Sequence, residues 1–464
     1  MKVHFIAVGG SAMHNLALAL HKKGYSVSGS DDEIFEPSKS RLKKYGLLPP
    51  DEGWDISRIT PDLDAVILGM HAKADNPELL KAKELGLKIF SYPEFLYEQS
   101  KDKKRVVIGG SHGKTTITAM VLHVLKAAGI DCDYMVGAQL EGFEVMVKLS
   151  EDAGLMIFEG DEYLTSPLDP RPKFHVYKPD VALLSGISWD HINVFPTFEN
   201  YTGQFREFIR LISPGGTLVY CAGDDVLRSI CHECRPDLSI IPYAVPEHFI
   251  SEGVTSLIRN SKIYPLKVFG RHNLMNLNGA YQLCRELGVS DEVFLASIVT
   301  FAGAAKRLEL VAGNSRTLIY KDFAHAPSKV RASLHAIREH YAGKSVTACL
   351  ELHTYSSLSK DFLSQYAGAL DEADNPIVYF NPHAIQLKRL EPITAEQVKE
   401  GFGNANLEVF TGSAELRSRL LGMEWENSVL LLMSSGDFDG MEITELAGNI
   451  LKKAAAEPGA TQTT

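Results

Sequence analysis

The sequence predicts an α/β protein divided into three domains, the central one of P-loop ATPase type. Three observations lead there. The chain has 464 residues, which at about 150 residues per domain corresponds to three, since a single core rarely exceeds ~250–300 residues. Short apolar runs alternate with helical patterns along the chain, the arrangement that builds parallel sheets from strand–helix–strand units. Finally, Gly110-Ser111-His112-Gly113-Lys114-Thr115-Thr116 follows an apolar run and opens a helical pattern, as a phosphate-binding loop does.

The first block opens with the strand VHFIAV, broken by Gly9-Gly10-Ser11 and followed by the helical stretch AMHNLALALHKKG, which Gly24 closes. YSVSGSD predicts a second strand ending at Asp31. DAVILGM and KIFSY predict two buried strands with KAKELG helical between them. The charged stretch QSKDKKR at 99–105 predicts a linker. The second block starts at RVVIGGSHGKTT and continues through strands GLMIFEGD and DVALLSGIS, a helix around FENYTGQFREFIRLI and a strand GTLVYC. SPLDPRPKF at 166–174 is expected to be a loop, because its prolines exclude a helix. FGRHNLMNLNGAYQLCRELG runs from a loop into a helix, and DEVFLASIVTF is another helix. The third block begins near Gly313 with strand TLIYKDF, helix KVRASLHAIREHY and strands VTACLEL, IVYFN and VLLLMSS. The expected boundaries are 1–103, 104–312 and 313–453, and the tail 454–464 is expected to be disordered for want of apolar periodicity.

Composition narrows the function. Hydrophobic residues make up 45% and charged residues 23%, an ordinary globular balance. The net charge of −11 argues against broad capture of nucleic acid or of an anionic membrane, while leaving room for a local cationic pocket. Six cysteines are too few for a disulfide scaffold and fit a reducing compartment. Cys231 and Cys234 form a CxxC without a second pair at zinc-finger spacing, so they read as ordinary cysteines. The first residues lack a signal-peptide cleavage pattern, and no run reaches the ~20 apolar residues of a membrane span. A soluble cytoplasmic chain is expected.

The Gly110–Thr116 loop carries the strongest chemical signal. Its backbone N–H groups and the helix N-terminus suit phosphate oxygens, with Lys114 reaching the β/γ-phosphates and Thr115 a ligand for Mg²⁺. The full pattern wants a glycine where Ile108 stands. The Gly9-Gly10 turn lacks the later glycines of a dinucleotide fingerprint, having Ser11 and His14 instead; a plain turn and a nucleotide-phosphate turn both fit it. Asp31 stands where such folds place a ribose-binding carboxylate. Glu159-Gly160-Asp161-Glu162 ends a strand beside the loop and suits Mg²⁺, though a solvated acidic loop reads equally well. Asp190-His191 ends the next strand. Arg271-His272-Asn273 with Asn276 suits a purine edge or ribose, or else helix capping. Arg307 suits transferring phosphate charge. Asp322-Phe323-Ala324-His325-Ala326-Pro327 and His353-Thr354-Tyr355-Ser356 each follow a strand, where a site residue or a structural one could stand.

In this order the segments resemble the Mur ligase family, across nearly the whole chain: GSHGKTT, EGDE, WDH, GRHNLMNLNGA, KRLE and DFAHAP. The resemblance implies an N-terminal Rossmann-like domain that binds a UDP-sugar, a central ATPase domain and a C-terminal Rossmann-like domain. It implies a ligase that uses ATP and Mg²⁺ to join UDP-N-acetylmuramate to an amino acid or peptide through an acyl phosphate. SGSDDEIFEPS, DNP at 75–77, GFEV at 142–145, EGDEYLTSPLDPRPKF and KRLE look more like the branch that attaches a recycled tripeptide. The long stretch between Glu162 and Asp190 points the same way. His353-Thr354-Tyr355-Ser356 looks more like the branch that adds L-alanine. A nucleotide-binding regulatory relative that has lost ligation is the rival of another class.

Carried over by motif, the resemblance makes Lys114, His191, Arg307 and His325 catalytic. Nucleotide binding falls to Gly110, His112, Gly113, Lys114, Thr115, Thr116, Asn273, Asn276, Arg307 and Asp322. Thr115, Glu159 and His191 hold the metal, with Glu162 an alternative ligand. Gly10, Ser11, Asp31 and His71 face the UDP-sugar; His353 and Tyr355 are further substrate-binding residues. The chain departs from the branch at Gly186, Ser188, Ala326 and Ser357, where Asn, Glu, His and Arg are usual. Those changes touch the surroundings of Mg²⁺ and the amine.

Overall fold

Apolar runs become strands of parallel sheets, and the glycine turns fall at their C-terminal ends. These features come from a computed structural model, which describes residues 1–70, 72–138, 143, 145–166, 168–189, 194–233, 235–251, 253–304 and 307–456. His71, Asp190, His191, Cys234 and parts of the GFEV and tail segments lie outside the described residues. The chain divides into two units: Met1–Ala244 with Asn276–Ile298, and Val245–Met275 with Val299–Thr464.

The first unit holds two larger sheets, one parallel and one parallel except for its edge pair, Asp133–Met135 with Val147–Lys148. One has four strands in the order Ser26–Ser30, Lys2–Ile6, Ala65–Leu68 and Ile89–Ser91. The helix Ser11–Lys22 leaves the Gly9-Gly10 turn after the strand Lys2–Ile6 and buries Leu16, Leu18 and Leu20. The other sheet has seven strands with Lys104–Gly109 at its centre, flanked by Val181–Leu184 and Leu155–Glu159. Val106, Val107 and Ile108 are wholly buried, as a central strand covered on both faces requires.

One expectation for this unit is corrected, at 166–174. The stretch at 99–105 joins the two sheets, and its last two residues open the strand Lys104–Gly109. Arg105 is buried and donates to the carbonyls of Lys178 and Lys101. The stretch at 166–174 is not a loop. Leu164–Ser166 and Asp169–Pro172 pair as an antiparallel hairpin, and the helix Lys173–Val176 follows. A two-stranded ribbon is all edge, so Pro170 and Pro172 need not donate to a neighbouring strand.

The second unit holds a three-stranded antiparallel sheet, His248–Ser251, Val254–Arg259 and Lys262–Pro265, that the sequence reading did not foresee. It also holds a six-stranded sheet in the order Glu309–Gly313, Thr317–Asp322, Ser428–Met433, Ser345–Leu352, Asn375–Phe380 and Glu408–Phe410. Only its first pair is antiparallel. That sheet starts at Glu309, ahead of the Gly313 expected to open the third block. Along Ser428–Met433, Val429, Leu431 and Met433 pack on one face while Leu430 and Leu432 pack on the other. A continuous apolar run is what a strand covered on both sides needs. The last helix, Ile443–Ala456, continues into the stretch expected to lack structure. Among the described residues no helix is long and apolar enough to cross a membrane.

Candidate active site

In the first unit the strand Lys104–Gly109 ends in the loop at 110–113, and the helix Lys114–Ala127 begins directly after it. Gly110 has φ +122° and Gly113 φ +74°, a region that favours glycine. A side chain at Gly110 would overlap Ser185 Oγ and come within 2.8 Å of the Ser185 nitrogen; one at Gly113 would overlap Asn276 Oδ1. Ser185 lies just past the strand Val181–Leu184, and its hydroxyl donates to the carbonyls of His112 and Gly109. The loop is therefore held tight against the neighbouring strand end, directly before a helix N-terminus, where an anion is favoured.

Lys114 Nζ lies 2.7 Å from the Gly110 carbonyl oxygen and 2.7 Å from Glu162 Oε2. Burial alone would lower this ammonium, but Glu162, Asp161 and Glu159 outweigh it and hold the pKa above its ordinary value. Thr115 Oγ1 donates to Glu159 Oε1 at 2.7 Å, and the Gly137 N–H donates to Oε2 at 2.8 Å. Burial, reinforced by Asp161, pushes the Glu159 carboxyl up. A hydroxyl and a carboxylate oxygen side by side on a phosphate loop are hard donors, and they fit Mg²⁺. Among the described residues no group of three or more His, Cys, Asp or Glu could hold a metal alone. Glu162, an alternative metal ligand in the sequence reading, is here the ion-pair partner of Lys114.

Behind the loop, Tyr201 from the helix Phe198–Arg210 is fully buried. Its hydroxyl is 2.8 Å from Ser111 Oγ and 3.4 Å from Glu162 Oε1. The Ser188 N–H donates to Ser111 Oγ at 2.8 Å, and the Ser111 N–H donates to the Gly186 carbonyl at 3.0 Å. Gly186 and Ser188 thus reach the loop through their backbones, which any residue there possesses. Trp189, 42% exposed, donates its indole N–H to the Phe195 carbonyl. The sequence reading missed Tyr201 and Ser185: an amphipathic helix pattern says nothing about which tyrosine meets a loop some ninety residues away in the chain.

Elsewhere in this unit, the Gly9 N–H donates to Asp31 Oδ2 at 2.6 Å. Asp31 is buried, and burial first, then Asp32, pushes its pKa up to about 7. Gly10 opens the helix Ser11–Lys22, and Ser11 is exposed. His14 is buried between the Gly10 carbonyl, Ser38 and Arg41. The strand-end carboxylate was legible from its position; Arg41 was not.

In the second unit, Asp322 ends the strand Thr317–Asp322. It accepts from the Leu308 N–H at 3.1 Å and from the Ser333 hydroxyl. The Arg307 guanidinium lies over the Phe323 ring at 4.6 Å, and the His325 ring meets that ring edge-on at 5.2 Å. Arg307, Asp322 and His325 are thus brought together. Burial pushes the neighbouring His272 imidazole down, against the pull of Asp322. Asn273 Nδ2 donates to the Phe269 carbonyl at 2.9 Å, the local bond a structural reading allows. His353 lies 3.7 Å from the buried Glu351, and Tyr355 is 48% exposed. Ser357 is buried and bonded to Thr354, so it offers no charge where the branch has arginine.

Comparisons with known proteins cover the same ground. Residues 2–104 match the model of the Mur ligase family catalytic domain, 108–284 the Mur ligase middle domain and 306–436 the Mur ligase glutamate ligase domain. The chain is 28% identical to the UDP-N-acetylmuramate–L-alanine ligase of Renibacterium salmoninarum, over 98% of this chain and 96% of the relative. It is 27% identical to the UDP-N-acetylmuramate–L-alanyl-gamma-D-glutamyl-meso-2,6-diaminoheptandioate ligase of Haemophilus influenzae, over 95% of this chain and 97% of the relative. A crystal structure of a murein peptide ligase from Psychrobacter arcticus matches with a TM-score of 0.67 at 23% identity, covering 97% of this chain and 98% of that one. The α/β fold of three family domains expected from the sequence is borne out.

Proposed function

Because the chain belongs to the Mur ligase family of ATP-dependent ligases, we propose that it joins UDP-N-acetylmuramate to the amine of L-alanyl-γ-D-glutamyl-meso-diaminopimelate. The observation that carries the chemistry is Lys114, set on the glycine loop beside Thr115 and the buried Glu159. A carboxylate is a poor acyl donor, and both it and ATP are anionic. Positive charge must therefore gather on the γ-phosphate for transfer to proceed.

In this reading the glycine loop with His112 and Thr116 seats the phosphates, and Lys114 draws the γ-phosphate toward the acceptor. Thr115 and Glu159, with His191, would hold Mg²⁺, which when bound neutralises phosphate charge. The γ-phosphoryl group passes to the lactyl carboxylate of UDP-N-acetylmuramate, and ADP is released. The peptide amine then attacks the acyl carbon, loses a proton and expels phosphate, leaving the amide. Arg307 is assigned to phosphate charge and His325 to the second half-reaction. Asn273, Asn276 and Asp322 are assigned to adenine or its ribose. Gly10, Ser11, Asp31 and His71 are assigned to the UDP moiety, His353 and Tyr355 to the amine.

The tripeptide is supported by the hairpin and short helix between Glu162 and Val181, a stretch that resembles the recycling branch in sequence. The H. influenzae relative bears that substrate in its name. L-Alanine is the second reading, supported by His353-Thr354-Tyr355-Ser356 and by the R. salmoninarum relative. Phosphate release with ATP, Mg²⁺ and UDP-N-acetylmuramate decides, with each amine added in turn. Stimulation by the tripeptide alone is expected. Stimulation by L-alanine overturns the assignment in favour of the second reading, and stimulation by neither favours a regulatory relative.

A further inference from the structure

A cavity of about 700 Å³ lies within the first unit. It is walled by the helix Tyr92–Glu98 and the strand before it, the hairpin strand Asp169–Pro172, the helix Lys173–Val176 and the helix Phe198–Arg210. No residue assigned above to nucleotide, metal, UDP-sugar or amine lines it. The volume suits a small molecule.

One buried side chain on this wall has hydrogen-bonding capacity to spare. His175 is only 7% exposed. Its Nε2 lies 2.8 Å from the Gln204 carbonyl oxygen, which can only accept, so Nε2 carries a proton. Burial pushes the imidazole below its ordinary pKa, so at neutral pH the ring is neutral and Nδ1 is an acceptor. Among the described residues nothing donates to Nδ1, and it is not sealed from open space. The open space that His175 lines is the cavity.

The charged groups around it select the sign of an occupant. Arg171 is engaged already: it donates to both carboxylate oxygens of Asp169 and reaches Glu94. The Lys178 ammonium lies over the Tyr97 ring at 5.2 Å. Glu207 acts on the His175 ring as a neighbouring negative charge. Its partner Arg210 stands at 3.4 Å in an exposed pair, which contributes little. The cavity therefore offers a neutral nitrogen acceptor and a carboxylate, together with the apolar side chains of Phe90, Val176 and Leu211. An anion would face Glu94, Glu98 and Glu207 and find the cations occupied.

We propose that this cavity is a binding site for a small organic cation, a primary ammonium on an apolar body, whose N–H groups are taken by His175 Nδ1 and the Glu207 carboxylate. The site is independent of the reaction assigned to the glycine loop.

The test uses the full chain and three probes of one shape: 2-phenylethylamine, the neutral 2-phenylethanol and the anionic phenylacetate. Saturation-transfer NMR titrations read their affinities. The amine should bind with a Kd on the order of 1 mM, and phenylacetate at least about tenfold more weakly. His175→Gln keeps an N–H for the Gln204 carbonyl and removes the Nδ1 acceptor; Glu207→Gln removes the charge. Each should weaken the amine about tenfold, the worth of a hydrogen bond to a charged group. Binding of 2-phenylethanol should stay within about twofold in both variants, since it brings no charge. Neither ATP with Mg²⁺ nor UDP-N-acetylmuramate should displace the amine. Absence of amine binding, equal binding of phenylacetate, unchanged amine affinity in either variant, or displacement by either substrate overturns the site. If His175→Gln does not fold, Glu207→Gln on the half-exposed side of its helix decides by the same criterion.

Discussion

Individual side chains in this site are legible in the sequence when their partner is set by a local motif. Lys114 and Thr115 follow from the spacing of the glycine loop, and Glu159 from its place at the end of the strand that pairs with Lys104–Gly109. Asp31 follows from the same kind of reasoning, and its environment makes a prediction of its own. Its carboxyl is pushed up to about 7 by burial, against 3.8 for an ordinary aspartate. A group whose folded-state pKa is raised favours the fold most below its unfolded pKa, and that contribution is lost as pH rises through the folded value. Wild type should therefore lose stability relative to Asp31→Asn between about pH 4 and pH 8, by an amount on the order of 1–3 kcal/mol. Urea unfolding of both proteins at several pH values checks this; parallel profiles would sink it. Tyr201, Ser185 and Arg41 were invisible because each acts through a tertiary contact that periodicity does not encode.

At the scale of elements, the glycine loop shows why conformation and space must both be right. Gly110 combines a left-handed backbone with a neighbour that leaves no room for Cβ, and that neighbour is partly backbone and cannot swing away. Gly110→Ala should lower ADP formation by about a hundredfold or more through lost phosphate positioning. UDP-sugar affinity should hold to within about twofold in the same protein, since misplacement at one loop need not reach another. Steady-state kinetics and binding on one preparation separate the two effects. The strands and helices around this loop were readable because a buried parallel strand is a short apolar run. The hairpin at 164–172 was not: proline rules out helix interiors but not ribbon edges, and only pairing reveals the edge. The three-stranded sheet at 248–265 escaped for a related reason, since its strands are short, half-exposed and carry no continuous apolar run.

For the whole molecule, the order of motifs says more than any one of them. GSHGKTT, EGDE, KRLE and DFAHAP each have a bland structural reading, yet in fixed order they mark the family that the domain matches bear out. A ligase that forms an acyl phosphate should not hydrolyse ATP alone. With Mg²⁺ and ATP but no UDP-N-acetylmuramate, phosphate release should stay below about one hundredth of the complete rate, because the phosphoryl acceptor is missing. With the UDP-sugar present, no amine and neutral hydroxylamine added, ADP and a hydroxamate should form together. Rapid ATP hydrolysis without the sugar would instead indicate a simple phosphatase-type P-loop protein. The chain also brings its own optical probe to such experiments. Of its three tryptophans, Trp425 is buried, whereas Trp189 stands partly in solvent one residue beyond Ser188, whose N–H anchors the loop. Replacing Trp54 and Trp425 with phenylalanine would leave a single fluorophore at the edge of the loop. Stopped-flow emission from it would time nucleotide arrival separately from product formation, without any added label.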